Sequence, residues 1–179
     1  AGLSADQLAL ISIGGQTILA FTLGLIINMI FTFGEEFGWR GYLLLRLAPL
    51  GGVRAALITG VIWGLWHAPL IVLAGYNYPG HPWLGVVMMV VFTTSLSLIF
   101  AWLRFRSGSV WPSTLAHAAV NGQAGFATIV LSHADSLIAA PIGIIGVLPM
   151  LAFGIWLAAT GRLKPIVGSD MRVMDTRAS

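Results

Sequence analysis

Charge is the scarcest feature of this sequence. Of its 179 residues only 8% are Asp, Glu, Lys or Arg, and six of them are acidic. Soluble domains carry about 25% charged residues, so a water-soluble globular domain is excluded. The nine basic residues form no cluster, which leaves nucleic acid out of the expected partners.

Cysteine is absent altogether. Its absence excludes disulfides and thiolate metal sites. There is also no internal repeat, no glycine-rich nucleotide-binding pattern and no cleavable signal peptide. The chain starts at Ala1 and not at a methionine, and we expect it to be a fragment or a processed product.

Long apolar runs are what the sequence does have, since 58% of the chain is hydrophobic. A membrane-spanning helix needs about 20 such residues. Five runs reach or approach that length: 8–33, 54–73, 83–103, 112–131 and 137–160. They predict an all-α, polytopic membrane helix bundle of about five spans over residues 1–164. Residues 165–179 are predicted to be a disordered cytoplasmic tail.

The first run continues without proline as far as Ala48. Forty helical residues would reach about 60 Å, which is twice the thickness of the hydrocarbon layer. We therefore expect a helix break or a strong tilt near Gly34, or a second helix that starts there.

The basic residues fall only after the first, third and fifth runs. Apart from Arg40, they are Arg46 and Arg54, then Arg104 and Arg106, then Arg162, Lys164, Arg172 and Arg177. Cytoplasmic loops of membrane proteins carry an excess of Lys and Arg. This segregation predicts that the first run crosses from outside to inside and that the C-terminus is cytoplasmic.

The only two glutamates, Glu35 and Glu36, are adjacent and lie in apolar surroundings. Arg40 follows Glu36 by four residues, so the two share a helix face and are expected to form an ion pair. Glu35 points about 100° away around the helix axis, which leaves it free to act as a general base. An intramembrane carboxylate without a partner is by default a functional hypothesis.

Three further polar side chains lie on other apolar runs: His67, His117 and Asn121. At 1.5 Å per residue His67 and Glu35 lie at a similar depth, about 20 Å from the basic ends of their runs. We expect the four groups to converge in the cytoplasmic half of the bilayer, with Trp63 beside His67. Taken singly, each of these groups is also explained as an interhelical hydrogen-bonding group.

Together these residues form three ordered motifs: Glu35-Glu36-x-x-x-Arg40, Trp63-x-x-x-His67 and His117-x-x-x-Asn121. The set resembles the CAAX-protease and bacteriocin-processing (Abi) family of intramembrane endopeptidases, related to the Ras-converting CAAX endopeptidase, over a motif core of 34–125. The resemblance implies that Glu35 and His67 activate a water and that His117 and Asn121 stabilise an oxyanion. Glu36, Arg40 and Trp63 would then have supporting roles.

The implied reaction is hydrolysis of a peptide bond, in a peptide or membrane-protein substrate, near the cytoplasmic face of a prokaryotic plasma membrane. No cofactor is favoured, because an HExxH motif is missing. Zinc held by Glu35, His67 and His117 is the alternative. Two other functions stay open: a non-enzymatic scaffold or bacteriocin-immunity protein of the same fold, and a small proton-coupled transporter.

Overall fold

A computed structural model describes residues 4–130, 134–139 and 141–165 of the chain. Helices joined by short turns make up these residues, and no strand occurs among them. The predicted all-α membrane helix bundle is thereby confirmed. The part of the tail that follows Pro165 lies outside the described residues.

The helices follow one another with little intervening loop. They are α1 (Ala5–Leu19), α2 (Leu25–Glu36), α3 (Leu44–Leu47), α4 (Gly52–Trp66), α5 (Ala68–Ala74), α6 (Pro82–Ser107), α7 (Trp111–Val130) and α8 (Ile144–Ala159). π-Helical segments, Ala20–Gly24 and Phe37–Leu43, join α1 to α2 and α2 to α3, and a 3₁₀ turn, Ala48–Leu50, follows α3.

All five apolar runs contain helix, but they differ in length. Within the described residues three helical stretches are long and apolar enough to cross a membrane: Asp6–Leu50, Gly52–Ala74 and Pro82–Ser107. Helix α7 has 20 residues, and α8 is a shorter apolar helix of 16 residues. The protein is therefore an integral membrane protein.

The expected helix break does not occur at Gly34 itself. Gly34 lies inside α2, and the chain stays helical because Phe37 still donates its backbone N–H to the carbonyls of Phe33 and Gly34. No proline interrupts this ladder of hydrogen bonds. The irregularity comes three residues later, at the π-helical segment Phe37–Leu43. Such segments are rare and are frequent at functional sites.

Helices α4 and α6 pack at the centre of the bundle. Gly60 and Gly64 make this close approach possible, since a Cβ atom on either would lie 2.5 or 2.6 Å from an α-carbon of α6. Thr93 donates to the Gly60 carbonyl at 2.9 Å, and Ser97 donates to the Ala56 carbonyl at 2.8 Å. Small residues and interhelical hydrogen bonds are the usual means by which membrane helices associate, because lipid supplies no hydrophobic drive between them.

The two ends of the bundle differ in charge. Gly52, Phe105 and Leu163 pack together, so the loops with Arg46, Arg54, Arg104, Arg106, Arg162 and Lys164 lie at one end, which we call the basic end. At the opposite end the 75–81 loop contacts Asp135 and Ile142. Tyr78 donates to the Ile142 carbonyl at 2.8 Å, and burial raises the pKa of Tyr78, so this hydroxyl stays protonated.

Candidate active site

A cavity of about 660 Å³ lies between α2, α4, α6 and α7. Glu35, His67, His117 and Asn121 all line it, together with Trp63. The structure therefore brings the four expected polar side chains, which come from three separate runs, to one place. Glu36 and Arg40 lie behind the wall and are fully buried.

The carboxylate of Glu36 joins two of the motifs. Its Oε1 atom accepts from Arg40 Nη1 at 2.7 Å and lies 3.0 Å from His117 Nδ1. A carboxylate oxygen accepts, so Nδ1 of His117 carries the proton and Nε2 is the ring nitrogen left for a ligand. The expected ion pair is present, and its link to His117 is a contact that the sequence did not reveal.

Arg40 is held by aromatic rings as well as by Glu36. Its guanidinium carbon lies 4.4 Å from the ring centroid of Trp63 and 4.8 Å from that of Phe100. Cation–π attraction grows when the cation is desolvated. This cage explains how Arg40 tolerates full burial although its Nε and Nη2 atoms have no hydrogen-bond partner among the described residues.

Trp63 contacts both sides of the site. Its indole Nε1 donates to Glu35 Oε2 at 3.0 Å, and its ring meets the His117 ring edge-on at 5.0 Å between centroids. Glu35 therefore has a defined donor, whereas the sequence left it without a partner. One oxygen of Glu35 is bound to Trp63, and the side chain as a whole stays partly exposed to the cavity.

His67 lies at the junction of α4 and α5. Pro69 lacks the backbone N–H that would continue α4, so α4 ends at Trp66 and His67 occupies the turn. Its Nδ1 lies 2.9 Å from the carbonyl oxygen of Trp63. Because a carbonyl can only accept, Nδ1 is the protonated nitrogen and the lone pair of Nε2 is free.

Several cavity residues escaped the sequence analysis, Asn28 among them. Asn28 on α2 lines the same cavity. The available signal was its spacing, since it precedes Glu35 by seven residues, or about two helical turns, and so shares its face.

The cavity also extends further from the basic end than expected. Its lining includes Tyr76, Asn77 and residues between 134 and 142, all at the opposite end of the bundle. The position of the four polar side chains in the half of the bilayer next to the basic loops stays a prediction.

Zinc held by Glu35, His67 and His117 stays an alternative. Within residues 4–130, 134–139 and 141–165, no three His, Cys, Asp or Glu side chains are grouped so that they could hold a metal ion. Glu35, His67 and His117 share a cavity without forming such a ligand set.

Comparison with known proteins identifies the family. The model of the Rce1-like type II CAAX prenyl endopeptidases matches residues 15–123, which is more than half of the chain. The chain belongs to this family. The match contains all three motifs and confirms the resemblance to CAAX proteases, and membership supports a role as an intramembrane protease. No curated protein and no solved structure matches the chain.

The buried ion pair leads to a stability prediction. Replacing Arg40 by Met leaves the carboxylate of Glu36 buried without its cation, and removing one partner of such a pair typically costs about 3–5 kcal/mol. The double variant Arg40→Met, Glu36→Met removes both charges and should regain most of that loss. The free energies of unfolding of both variants are measured on purified protein in detergent, with circular dichroism as the signal. A double variant no more stable than the single one would contradict this account of the pair.

Proposed function

We propose that the protein is an endopeptidase that hydrolyses a peptide bond inside the membrane, with Glu35 as the general base. The observation that carries the proposal is the shared cavity of Glu35, His67, His117 and Asn121 in a member of the CAAX endopeptidase family. Amide hydrolysis requires a base, an imidazole that orients the water, and hydrogen-bond donors where negative charge develops.

The first step uses Glu35 and His67. A water donates one hydrogen bond to Glu35 and the other to the free Nε2 of His67. Glu35 takes a proton as the water oxygen attacks the carbonyl carbon, and the carbonyl π electrons move to its oxygen. The resulting tetrahedral intermediate carries one negative charge. The geometry that supports this step is the pair of fixed hydrogen bonds, Trp63 to Glu35 and His67 to the Trp63 carbonyl.

The second step uses His117 and Asn121. The Nε2–H of a protonated His117 and the side-chain N–H of Asn121 would donate to the oxyanion. Glu36 holds the imidazole ring in this orientation, because its carboxylate oxygen accepts from Nδ1 at 3.0 Å. When the intermediate collapses, the C–N bond breaks and the proton on Glu35 moves to the leaving amine. The reaction consumes one water and regenerates the carboxylate of Glu35.

This route needs no metal ion, and we favour a glutamic protease on the arrangement of the side chains. The acidic and imidazole groups form no three-ligand cluster in the described part of the chain. The substrate class is a peptide or membrane-protein segment. A prenylated CAAX peptide is a suitable probe, because the family is named for prenyl CAAX substrates.

The general base is tested by Glu35→Gln, which keeps the shape of the side chain and removes its basicity. Because general base catalysis contributes about 10²–10⁴-fold, cleavage should fall by that factor. The assay follows a fluorescent CAAX peptide, farnesylated or unmodified, with the purified protein in liposomes, in the presence and absence of a chelator.

Asp6→Asn is the matched control, since Asp6 is an exposed carboxylate far along the chain from the cavity. It should cleave like the wild type. Full cleavage by Glu35→Gln would remove Glu35 from the mechanism, and loss of wild-type cleavage with the chelator would favour a metalloprotease. Peptide binding without any cleavage would favour the scaffold function.

The contact between Trp63 and Glu35 is tested by Trp63→Phe. Phenylalanine keeps an aromatic ring over Arg40 but has no N–H for Glu35. A hydrogen bond to a charged group contributes about 1.5–3 kcal/mol, so kcat should fall about tenfold or more with little change in KM. Trp102→Phe is the control, because Trp102 packs against Phe153 on α8. Equal kcat values for the two variants would show that the indole N–H does not position Glu35.

The orientation in the membrane follows from the basic end. Cytoplasmic loops carry the excess of Lys and Arg, so we propose that this end, with the C-terminus, is cytoplasmic. The cavity lining then includes loops of the outer end, and substrate would approach Glu35 from that side. Cleavage near the cytoplasmic face, with access from the basic end, stays the alternative.

The absence of native cysteine makes this orientation directly measurable. Tyr76→Cys places a thiol at the outer end of the cavity, and Ser107→Cys places one at the basic end. An impermeant maleimide should label the Tyr76→Cys protein in intact cells. It should label the Ser107→Cys protein only after the cells are permeabilised. The reverse labelling pattern would restore access from the cytoplasmic face.

A further inference from the structure

Asn28 is a carboxamide on an otherwise apolar stretch of α2, with the sequence LIINMIF. It is partly buried and lines the cavity that contains Glu35, His67, His117 and Asn121. No step of the proposed hydrolysis uses it. It lies about two turns, or about 10 Å, from Glu35 along the helix. This displacement points away from the basic end, because the helix runs on from Glu35 to Arg46 at the basic end.

One hydrogen bond fixes the orientation of this side chain. Asn28 Nδ2 donates to the carbonyl of Gly24 at 2.7 Å, at the end of the π-helical segment Ala20–Gly24. Since a carbonyl accepts, the nitrogen and oxygen of the carboxamide are distinguished. One N–H and the carbonyl oxygen remain available to a molecule in the cavity.

The bond to Gly24 by itself does not require asparagine. Thr17 and Thr22 on the same long helix make the equivalent bond to the carbonyl four residues earlier, at 2.8 and 2.7 Å. A threonine hydroxyl meets that local need. Asn28 differs from the two threonines because it has a further donor and a further acceptor. It is also the one of these three side chains that lines the cavity.

We propose that Asn28 binds the backbone of the peptide substrate and sets its register relative to Glu35. The inference rests on the proposed function. A carboxamide offers one donor and one acceptor, which matches the N–H and C=O of a peptide unit. An extended peptide advances about 3.3 Å per residue, so a separation of about 10 Å places the bound unit about three residues from the scissile bond.

The test variant is Asn28→Thr, which retains a hydroxyl for the Gly24 carbonyl and loses the carboxamide. With a farnesylated ten-residue CAAX peptide, KM should rise about tenfold and kcat should change less than about twofold, because the lost bond holds substrate and transition state alike. Thr22→Val is the matched control. It removes an equivalent local hydrogen bond from an exposed position on the same helix and should leave both constants unchanged.

A second measurement identifies the backbone contact. Peptides carrying a single N-methyl group at successive positions are bound to the non-hydrolysing Glu35→Gln protein. When Asn28 is present, an N-methyl group at one position, about three residues from the scissile bond, should weaken binding about tenfold. That penalty should vanish in the Glu35→Gln, Asn28→Thr protein.

The outcomes separate this inference from the proposed function. Equal KM values for Asn28→Thr and wild type, or an unchanged N-methyl pattern, would overturn the role of Asn28 while hydrolysis stands. If Asn28→Thr is poorly folded, Asn28→Leu, which has a similar volume, enters the same binding assay. A wild type that binds but never cleaves the peptide would sink the hydrolase proposal, and the N-methyl pattern would still decide the role of Asn28.

Discussion

The structure depends on one buried carboxylate. Glu36 lies within an apolar bundle and contacts both Arg40 and His117 through a single oxygen atom. Burying a charge in a low-dielectric interior is costly unless it is paired, so Arg40 must come with Glu36. The guanidinium in turn lies against the rings of Trp63 and Phe100. Helices α4, α6 and α7 are thus tied to the π-helical segment that follows α2.

This arrangement separates the support of the site from its chemistry. Glu36 is inaccessible, and its charge is used to hold Arg40 and to orient His117. Glu35, one residue earlier, points into the cavity and is held by a neutral indole N–H. Adjacent glutamates on a helix differ by about 100° in direction. Two adjacent glutamates therefore supply one structural carboxylate and one that is available for chemistry.

The polar residues could be singled out from the sequence because an unpaired polar group is costly in a membrane helix. Glu35, Glu36, Arg40, His67, His117 and Asn121 stand out against an apolar background, and all of them lie in or directly behind the wall of one cavity. The spacing of four between Glu36 and Arg40 was enough to predict their ion pair. Asn28 had the same kind of signal and was missed, because it belongs to none of the three motifs.

The sequence alone determined that the chain is a helical membrane protein, which side chains are chemically available, and which loops are basic, because these follow from composition and helical period. Tertiary structure decided the rest. It decided that the helix passes Gly34 unbroken, that His117 shares Glu36 with Arg40, and that Trp63 donates to Glu35 across 28 positions of sequence. It also decided that the cavity reaches the end opposite the basic loops. These features depend on how separate helices pack, and no local pattern encodes the distance between side chains on different helices.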